Sequence, residues 1–218
     1  MASYIITLDD IRAALKLPDF DVVTAQQPMV PATRRMYPDK NQHSRQAGVL
    51  ILLYPCDDQL HFVLTRRTES LRGHSGQISF PGGKRDLTDR TLVDTALRET
   101  CEELGICDNN LSVLGQLSTI YIPPSNFEVF PSVAALDTVP AFSPNPAEVD
   151  EVFSVPVAAL LDQRFKQSEE RTFQEQPVTI PFYSFHEQKV WGATAIMLSE
   201  LEGRLRATLP DAVLHTFI

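Results

Sequence analysis

The sequence predicts an α/β fold, with helices covering both faces of a mixed β-sheet. Three observations carry that expectation. Apolar or alternating runs occur in hairpin spacing at residues 48–66 and again at 111–136, which is the pattern of strands. Helical periodicity fills about Thr91–Leu104 between those two groups. A second helical stretch, about Gly192–Ala207, closes the chain. Interleaved elements of both kinds bury their apolar faces best as helix, sheet and helix layers.

Taken in order, Thr7-Leu8-Asp9-Asp10 is a capping signal for a short helix at Ile11–Leu17, which Pro18 stops. From Pro18 to about Arg45 there are four prolines and little periodicity, so this stretch reads as one long loop. Gly48–Tyr54 and His61–Arg66 flank Pro55-Cys56-Asp57-Asp58 as a hairpin. Gln77–Phe80 is a short strand ahead of Pro81-Gly82-Gly83. In the helix that follows, Val93, Ala96, Leu97, Thr100 and Leu104 share a face, with Asp89 as the cap. Leu111–Tyr121 and Phe127–Leu136 are strands around Pro123-Pro124-Ser125-Asn126. A short helix near Val157–Asp162 and strands near Arg171–Phe173 and Thr179–Phe185 precede the last helix.

Bulk properties narrow the classes of function. With 218 residues and 43% hydrophobic content, the chain can bury a sizeable core as one elaborated domain. No apolar run approaches the roughly 18 residues of a membrane span, and no basic region leads into an apolar stretch at the N-terminus. The three cysteines form no C-x-x-C pair, and an odd number without such a pair reads as reduced thiols in a cytoplasmic protein. The net charge is −9, with residues 1–100 carrying +1 and residues 101–218 carrying −10. That distribution argues against a general nucleic-acid binder, which needs a basic face. A polyanionic small molecule would need local arginines and a cation.

One segment is electrostatically anomalous. At about 100° per residue, Glu99, Glu102 and Glu103 fall within roughly 100° of one helical face. Like charges at these spacings, and anions in the last turn before Gly105, together cost on the order of 1–2 kcal/mol. A hard divalent cation reverses that sign, because Mg²⁺ and Mn²⁺ prefer carboxylate oxygens. Gly82 and Gly83 permit a close backbone approach and can offer a carbonyl oxygen. Arg98 can orient a neighbouring carboxylate. Cys101 adjoins the glutamates in sequence but points away from their arc, as a small buried residue.

Residues 83–106 resemble the signature of the Nudix hydrolases, Gly-x5-Glu-x7-Arg-Glu-U-x-Glu-Glu-x-Gly-U with U apolar. Arg98, Glu99, Glu102, Glu103, Gly105 and Ile106 fit it without gaps. Gly83 stands fifteen rather than fourteen residues before Arg98, Asp89 replaces the first glutamate, and Thr100 fills an apolar slot. Just upstream, Val63-Leu64-Thr65-Arg66-Arg67-Thr68, Arg72, Gly76 and Phe80-Pro81-Gly82-Gly83 resemble the added motif of the coenzyme A diphosphatase branch. Asn145-Pro146-x-Glu148-Val149 and Trp191-Gly192-Ala193-Thr194-Ala195 are similar to later segments of that branch.

The resemblance implies a Nudix-type α/β/α sandwich over residues 45–218, with residues 1–44 as an N-terminal helix and extended loop. It implies Mg²⁺- or Mn²⁺-dependent cleavage of coenzyme A to 3′,5′-ADP and 4′-phosphopantetheine. The other expectations are a Nudix hydrolase of ADP-ribose or a dinucleotide, and a non-catalytic Nudix-fold nucleotide sensor. The metal set is Gly83, Glu99, Glu102 and Glu103. Arg67, Arg72, Gln77, Ser79 and Phe80 are the substrate-binding candidates, with planar arginine donors suited to phosphate oxygens. Arg98, Glu102, Glu103 and Glu148 are the catalytic candidates, with the general base left between Glu102 and Glu148. His74 reads as a loop donor and Trp191 as core. The partners implied are a small nucleotide substrate, no nucleic acid and no membrane. A homodimer is the assembly the family suggests, with the proline-containing segment before Arg45 at its interface.

Overall fold

The strand β1 (Arg45–Cys56) organises the protein, because its residues are apolar on both sides. Leu50, Leu52 and Tyr54 point to one face and join Ala96, Leu104 and Ile106 in the smaller core. Ile51 and Leu53 point to the other and meet Leu198, Leu201 and Leu205 in the larger one. This period-two alternation in a strand buried on both faces places a helix against each side. The computed structural model describes residues 4–32, 38, 43–69, 76–107, 111–173 and 176–215.

β1 pairs in parallel with β7 (Phe127–Ala135), in the register Gly48↔Phe130 and Leu53↔Ala135. On its other edge it pairs antiparallel with β2 (Gln59–Arg67) and, at its start, with β4 (Gly82–Lys84). β2 carries β3 (Ile78–Ser79) and β8 (Val149–Pro156), while β7 carries β5 (Ser112–Gln116) and β6 (Ile120–Ile122), all antiparallel. A separate antiparallel sheet holds β9 (Lys166–Phe173), β10 (Gln176–Phe185) and β11 (Gln188–Trp191). The expected α/β layering around a mixed sheet is the observed architecture.

The first hairpin turns later than its sequence suggests. Asp57 and Asp58 take left-handed φ angles of 48° and 59°, the conformation of a tight two-residue connection. Pro55 and Cys56 therefore belong to the strand, opposite Leu60 and Gln59. Likewise, the single strand expected at Leu111–Tyr121 is two, β5 and β6, separated by residues 117–119. β4, β8 and β11 have too few alternating residues, or too much charge, to be legible as strands.

The helix α3 (Leu92–Leu104) lies over the smaller core. Its N-cap is Thr91, in a reciprocal capping box with Asp94, and Gly105 ends it at φ 71°. It approaches β1 closely at Gly48, where a Cβ would fall 2.3 Å from the Leu92 carbonyl oxygen and 2.9 Å from the Ala96 nitrogen. Both obstacles are backbone. Gly48→Ala is therefore expected to cost about 2–3 kcal/mol by prising the helix from the sheet, read as a shift in the urea midpoint.

α4 (Gly192–Thr208) covers the opposite face and receives the N-terminal elements. α1 (Leu8–Leu15) has a Thr7–Asp10 capping box. The stretch expected to be a loop instead contains α2 (Val22–Gln26), capped by Asp21, and a 3-10 turn at Gln27–Met29. Five residues are too few to show helical periodicity, so tertiary contacts hold α2 in place. Ser199 donates from its Oγ to the Ala25 carbonyl oxygen at 2.6 Å, and Gln26 Nε2 donates to Glu200 Oε2 at 2.9 Å. Residues 33–37 and 39–42 of the expected loop lie outside the described residues.

Two carboxylates on α4 are buried, which apolar periodicity does not anticipate. Glu200 pairs with Arg204 and accepts from the Ser118 amide and hydroxyl. Glu202 accepts from Lys166, Arg206 and the Tyr183 hydroxyl. Each is compensated by a cation and further hydrogen bonds, as burial requires.

Candidate active site

Three segments bring the acidic helix, the glycines and one arginine together. α3 lies across β1 and β4, so Glu99 and Glu103 project toward the Gly82–Gly83 backbone. The Gly82 amide donates to Glu103 Oε2 at 3.2 Å. Gly83 faces Glu99 so closely that a Cβ would lie 2.3 Å from one carboxylate oxygen. From the end of β2, Arg67 Nη1 stands 3.5 Å from Glu103 Oε1.

Arg98 ties the carboxylates to the loop before them. Its Nη1 donates to Glu99 Oε1 at 2.8 Å and Glu102 Oε2 at 3.1 Å. Its Nε and Nη2 each donate to Asp89 at 3.0 Å, and Nη2 also reaches the Lys84 carbonyl oxygen. Asp89 is therefore not the helix cap expected from the sequence. Thr91 takes that place, and Asp89 is a buried brace that also accepts from the Asp86 amide and the Thr95 hydroxyl, both at 2.8 Å. Asp89 reaches Arg98 despite its shorter side chain, so the irregular spacing before the helix still ends in a bidentate ion pair.

Hydrogen bonds from the Arg98 guanidinium hold the Asp89 carboxyl far below its ordinary value of 3.8. Because the folded value is depressed, the stabilisation is complete above pH 3.8 and is lost as pH falls through the folded value. Asp89→Ala removes one partner of this mostly buried pair and should cost about 3 kcal/mol at pH 7. Urea unfolding at pH 7 and pH 3 checks this, with the gap between variant and wild type narrowing at the lower pH.

The glutamates themselves are pushed the other way. Burial raises Glu103 to about 7, against the lowering effect of the Gly82 amide and Arg67, and Glu99 and Glu148 raise it further. Glu99 is raised mainly by burial, with Glu102 and Glu148 adding to the effect and Arg98 opposing it. Carboxylates crowded without sufficient countercharge are a cation's donor set, and the Gly83 cradle leaves backbone next to Glu99 rather than a side chain. Among the described residues, no three such groups yet converge on one point. Glu102, more than half exposed at its side chain, is held over by Arg98. Oxygen chemistry and crowding at Glu99 and Glu103 thus fit a divalent metal.

Beside the carboxylates opens a cavity of about 600 Å³. Arg67, Gln77, Ser79, Gly82 and Gly83 form its polar lining, and of these Arg67, Gly82 and Gly83 lie against the glutamates. Ile122, Pro124, Phe127 and Trp191 supply apolar and aromatic wall. Phe80 also borders the cavity, though it is 3% exposed and packs against Phe62 in the core. Trp191, expected to be core, is half-buried on the cavity wall, with the Arg171 guanidinium 5.0 Å from its ring centroid. Arg72 and His74 lie outside the described residues. The wall at Ile122–Phe127 was unreadable because Pro123-Pro124 signals only a turn.

A NUDIX domain profile matches residues 44–176, more than half of the chain. The chain belongs to the Nudix hydrolase family. It is 38% identical over 187 residues to the Nudix hydrolase NudL of Pectobacterium atrosepticum, covering 83% of this chain and 91% of that protein. Against Nudix hydrolase 15, mitochondrial, of Arabidopsis thaliana, identity is 33% over 168 residues, covering 74% of this chain and 58% of that one. Among solved structures, the Nudix hydrolase RenU of M. smegmatis superposes with a TM-score of 0.53 at 16% identity, over 81% of this chain and 96% of that one. Nudix hydrolases act on small nucleotide derivatives and generally use divalent metal ions.

The cysteines depart from expectation. Cys101 is half-buried and disulfide-bonded to Cys107, with their Cα atoms 4.6 Å apart, across the Gly105 cap. It faces away from the glutamates, yet only helix termination, by folding the chain back, brings Cys107 beside it. Cys56 is the free thiol. Purified without reductant and then unfolded, the Nudix protein should titrate one thiol; three would contradict the pairing. Reduction should lower stability by about 2 kcal/mol, given the short loop closed.

Proposed function

We propose that this Nudix hydrolase cleaves the diphosphate of coenzyme A and its derivatives to 3′,5′-ADP and 4′-phosphopantetheine. The observation that carries the reading is one cavity lined by Arg67, Gln77, Ser79, Phe80, Gly82 and Gly83, all within the coenzyme A diphosphatase-like motif, where Arg67, Gly82 and Gly83 lie against the glutamates of the acidic helix. A diphosphate at the polar end would leave the adenine ring or the pantetheine chain against Ile122, Phe127 and Trp191.

Gly83, Glu99, Glu102 and Glu103 would hold Mg²⁺ or Mn²⁺, which when bound neutralises charge on the bridging and non-bridging oxygens. Arg67 and Arg72 donate to the phosphate oxygens, with Gln77 and Ser79 adding neutral hydrogen bonds. Arg98 keeps Glu99 and Glu102 in orientation by its two Nη1 hydrogen bonds. Glu148 takes the proton from the attacking water, from a position close enough for its charge to act on Glu99 and Glu103. Glu102 is the other candidate for that step. The division between residues 1–44 and the catalytic domain 45–218, a cytoplasmic setting and a homodimer belong to the same proposal. No described helix is long and apolar enough to cross a membrane.

Specificity is a ratio, so the test is kcat/KM across coenzyme A, oxidised coenzyme A, an acyl-coenzyme A, ADP-ribose and a diadenosine polyphosphate. The coenzyme A class should lead by at least about tenfold. A lead by ADP-ribose or the dinucleotide would transfer the site to that substrate.

A further inference from the structure

The loop joining β7 to β8 ends in a clasp on the catalytic helix. The last carbonyls of a helix have no partner within it, and here the loop supplies them. The Ser143 amide donates to the Leu104 carbonyl oxygen at 2.8 Å, and the Asn145 amide to that of Glu103 at 2.9 Å. Gly105 lets the loop come this near, since a Cβ there would stand 2.8 Å from Ser143 Cβ. At the far side, the Thr68 amide donates to the Glu148 carbonyl oxygen at 3.0 Å, joining the clasp to the strand end that bears Arg67.

Asn145 is the centre of this clasp. Its backbone carbonyl accepts from the amides of Glu148 and Val149 at 3.0 and 2.8 Å. Its Oδ1 accepts from the Ala147 amide at 3.1 Å, a side-chain turn that bends the loop back. Its remaining group, Nδ2, donates to Glu148 Oε1 at 3.3 Å. One residue thus grips the backbone of metal-ligand candidate Glu103 and the carboxylate of base candidate Glu148. Among the described residues, that amide is the hydrogen-bond donor to the Glu148 carboxylate, and it opposes the repulsion from the neighbouring charges of Glu99 and Glu103.

We propose that Asn145 is a positioning residue, whose side-chain amide fixes the Glu148 carboxylate toward Glu99 and Glu103 for hydrolysis. This rests on the reading that Glu148 acts in the reaction. A purely structural Asn145 would serve only the turn. Aspartate separates the two roles, because it keeps the Oδ1 acceptor for the Ala147 amide and replaces the donor to Glu148 with a repelling oxygen.

The test compares Asn145→Asp, Asn145→Ala, Glu148→Gln and the double variant Asn145→Asp/Glu148→Gln. The substrate is coenzyme A or ADP-ribose, whichever the wild type turns over faster, with Mg²⁺. Both Asn145 variants should lose about 10–100-fold in kcat, with KM within twofold and the Asn145→Asp melting temperature close to wild type. The double variant should be no slower than Glu148→Gln alone, since an absent base leaves nothing to position. An Asn145→Asp enzyme with wild-type kcat, or single losses that multiply in the double variant, would overturn the proposal while leaving Glu148 in place. Wild-type kcat in Glu148→Gln would remove the role of Glu148, and the proposal with it.

Discussion

Glu103→Gln should lower kcat at least about 100-fold and leave the metal-free protein at least as stable as the wild type. The first effect follows from losing a negative ligand candidate where charge stabilisation supplies several kcal/mol of the barrier. The second follows from burial. Glu103 is 3% exposed, and its carboxyl is pushed up to about 7 from an ordinary 4.5. A raised folded value means that ionising this group costs folding stability, and the cost grows as pH rises from 4.5 through about 7. Glutamine has the same shape and no charge to bury. In a chelator, the two proteins should melt together near pH 5, and the variant should melt higher at pH 8. An equal kcat would end the assignment of Glu103 to the metal set, whichever substrate is used.

Gly83→Ala separates function from folding by another route. The added methyl would lie 2.3–2.6 Å from the Glu99 carboxylate, and no backbone atom is among its three nearest contacts. Gly83 is not in the left-handed region, so alanine suits the chain there. The flexible end of Glu99 can swing aside cheaply, and stability should change by less than about 1 kcal/mol. The displaced carboxylate no longer faces the Gly83 backbone. Turnover should fall about 10–100-fold and the Mn²⁺ requirement should rise, as for other losses around a metal. Calorimetric Mn²⁺ titration and kcat against Mn²⁺ concentration check both halves. A variant with unchanged Mn²⁺ affinity would place the ion elsewhere.

The two predictions also mark what the sequence could and could not disclose. α3 was legible because its apolar face repeats at helical spacing and Gly105 stops it. Its three glutamates could be grouped by angle alone. The cap could not be assigned so simply, because Asp89 and Thr91 both suit that position by residue type. The Thr91–Asp94 capping box and the bidentate grip of Arg98 on Asp89 decide between them. Short elements such as α2 and β4 escaped because five or three residues cannot display a period, and their partners are distant in sequence. Gln26 meets Glu200, and Gly82 meets Val49. Asn145 was visible within Asn145-Pro146-x-Glu148, but its hold on the Glu103 carbonyl joins residues 42 apart in sequence, with three strands between them.

The most direct measurement is product identity. Purified protein is incubated with coenzyme A and Mg²⁺ or Mn²⁺, and the nucleotide products are separated. The account predicts 3′,5′-ADP and 4′-phosphopantetheine in equal amounts, with neither formed in excess chelator. An enzyme that yields no 3′,5′-ADP at any metal concentration, yet hydrolyses ADP-ribose or a dinucleotide, would contradict it.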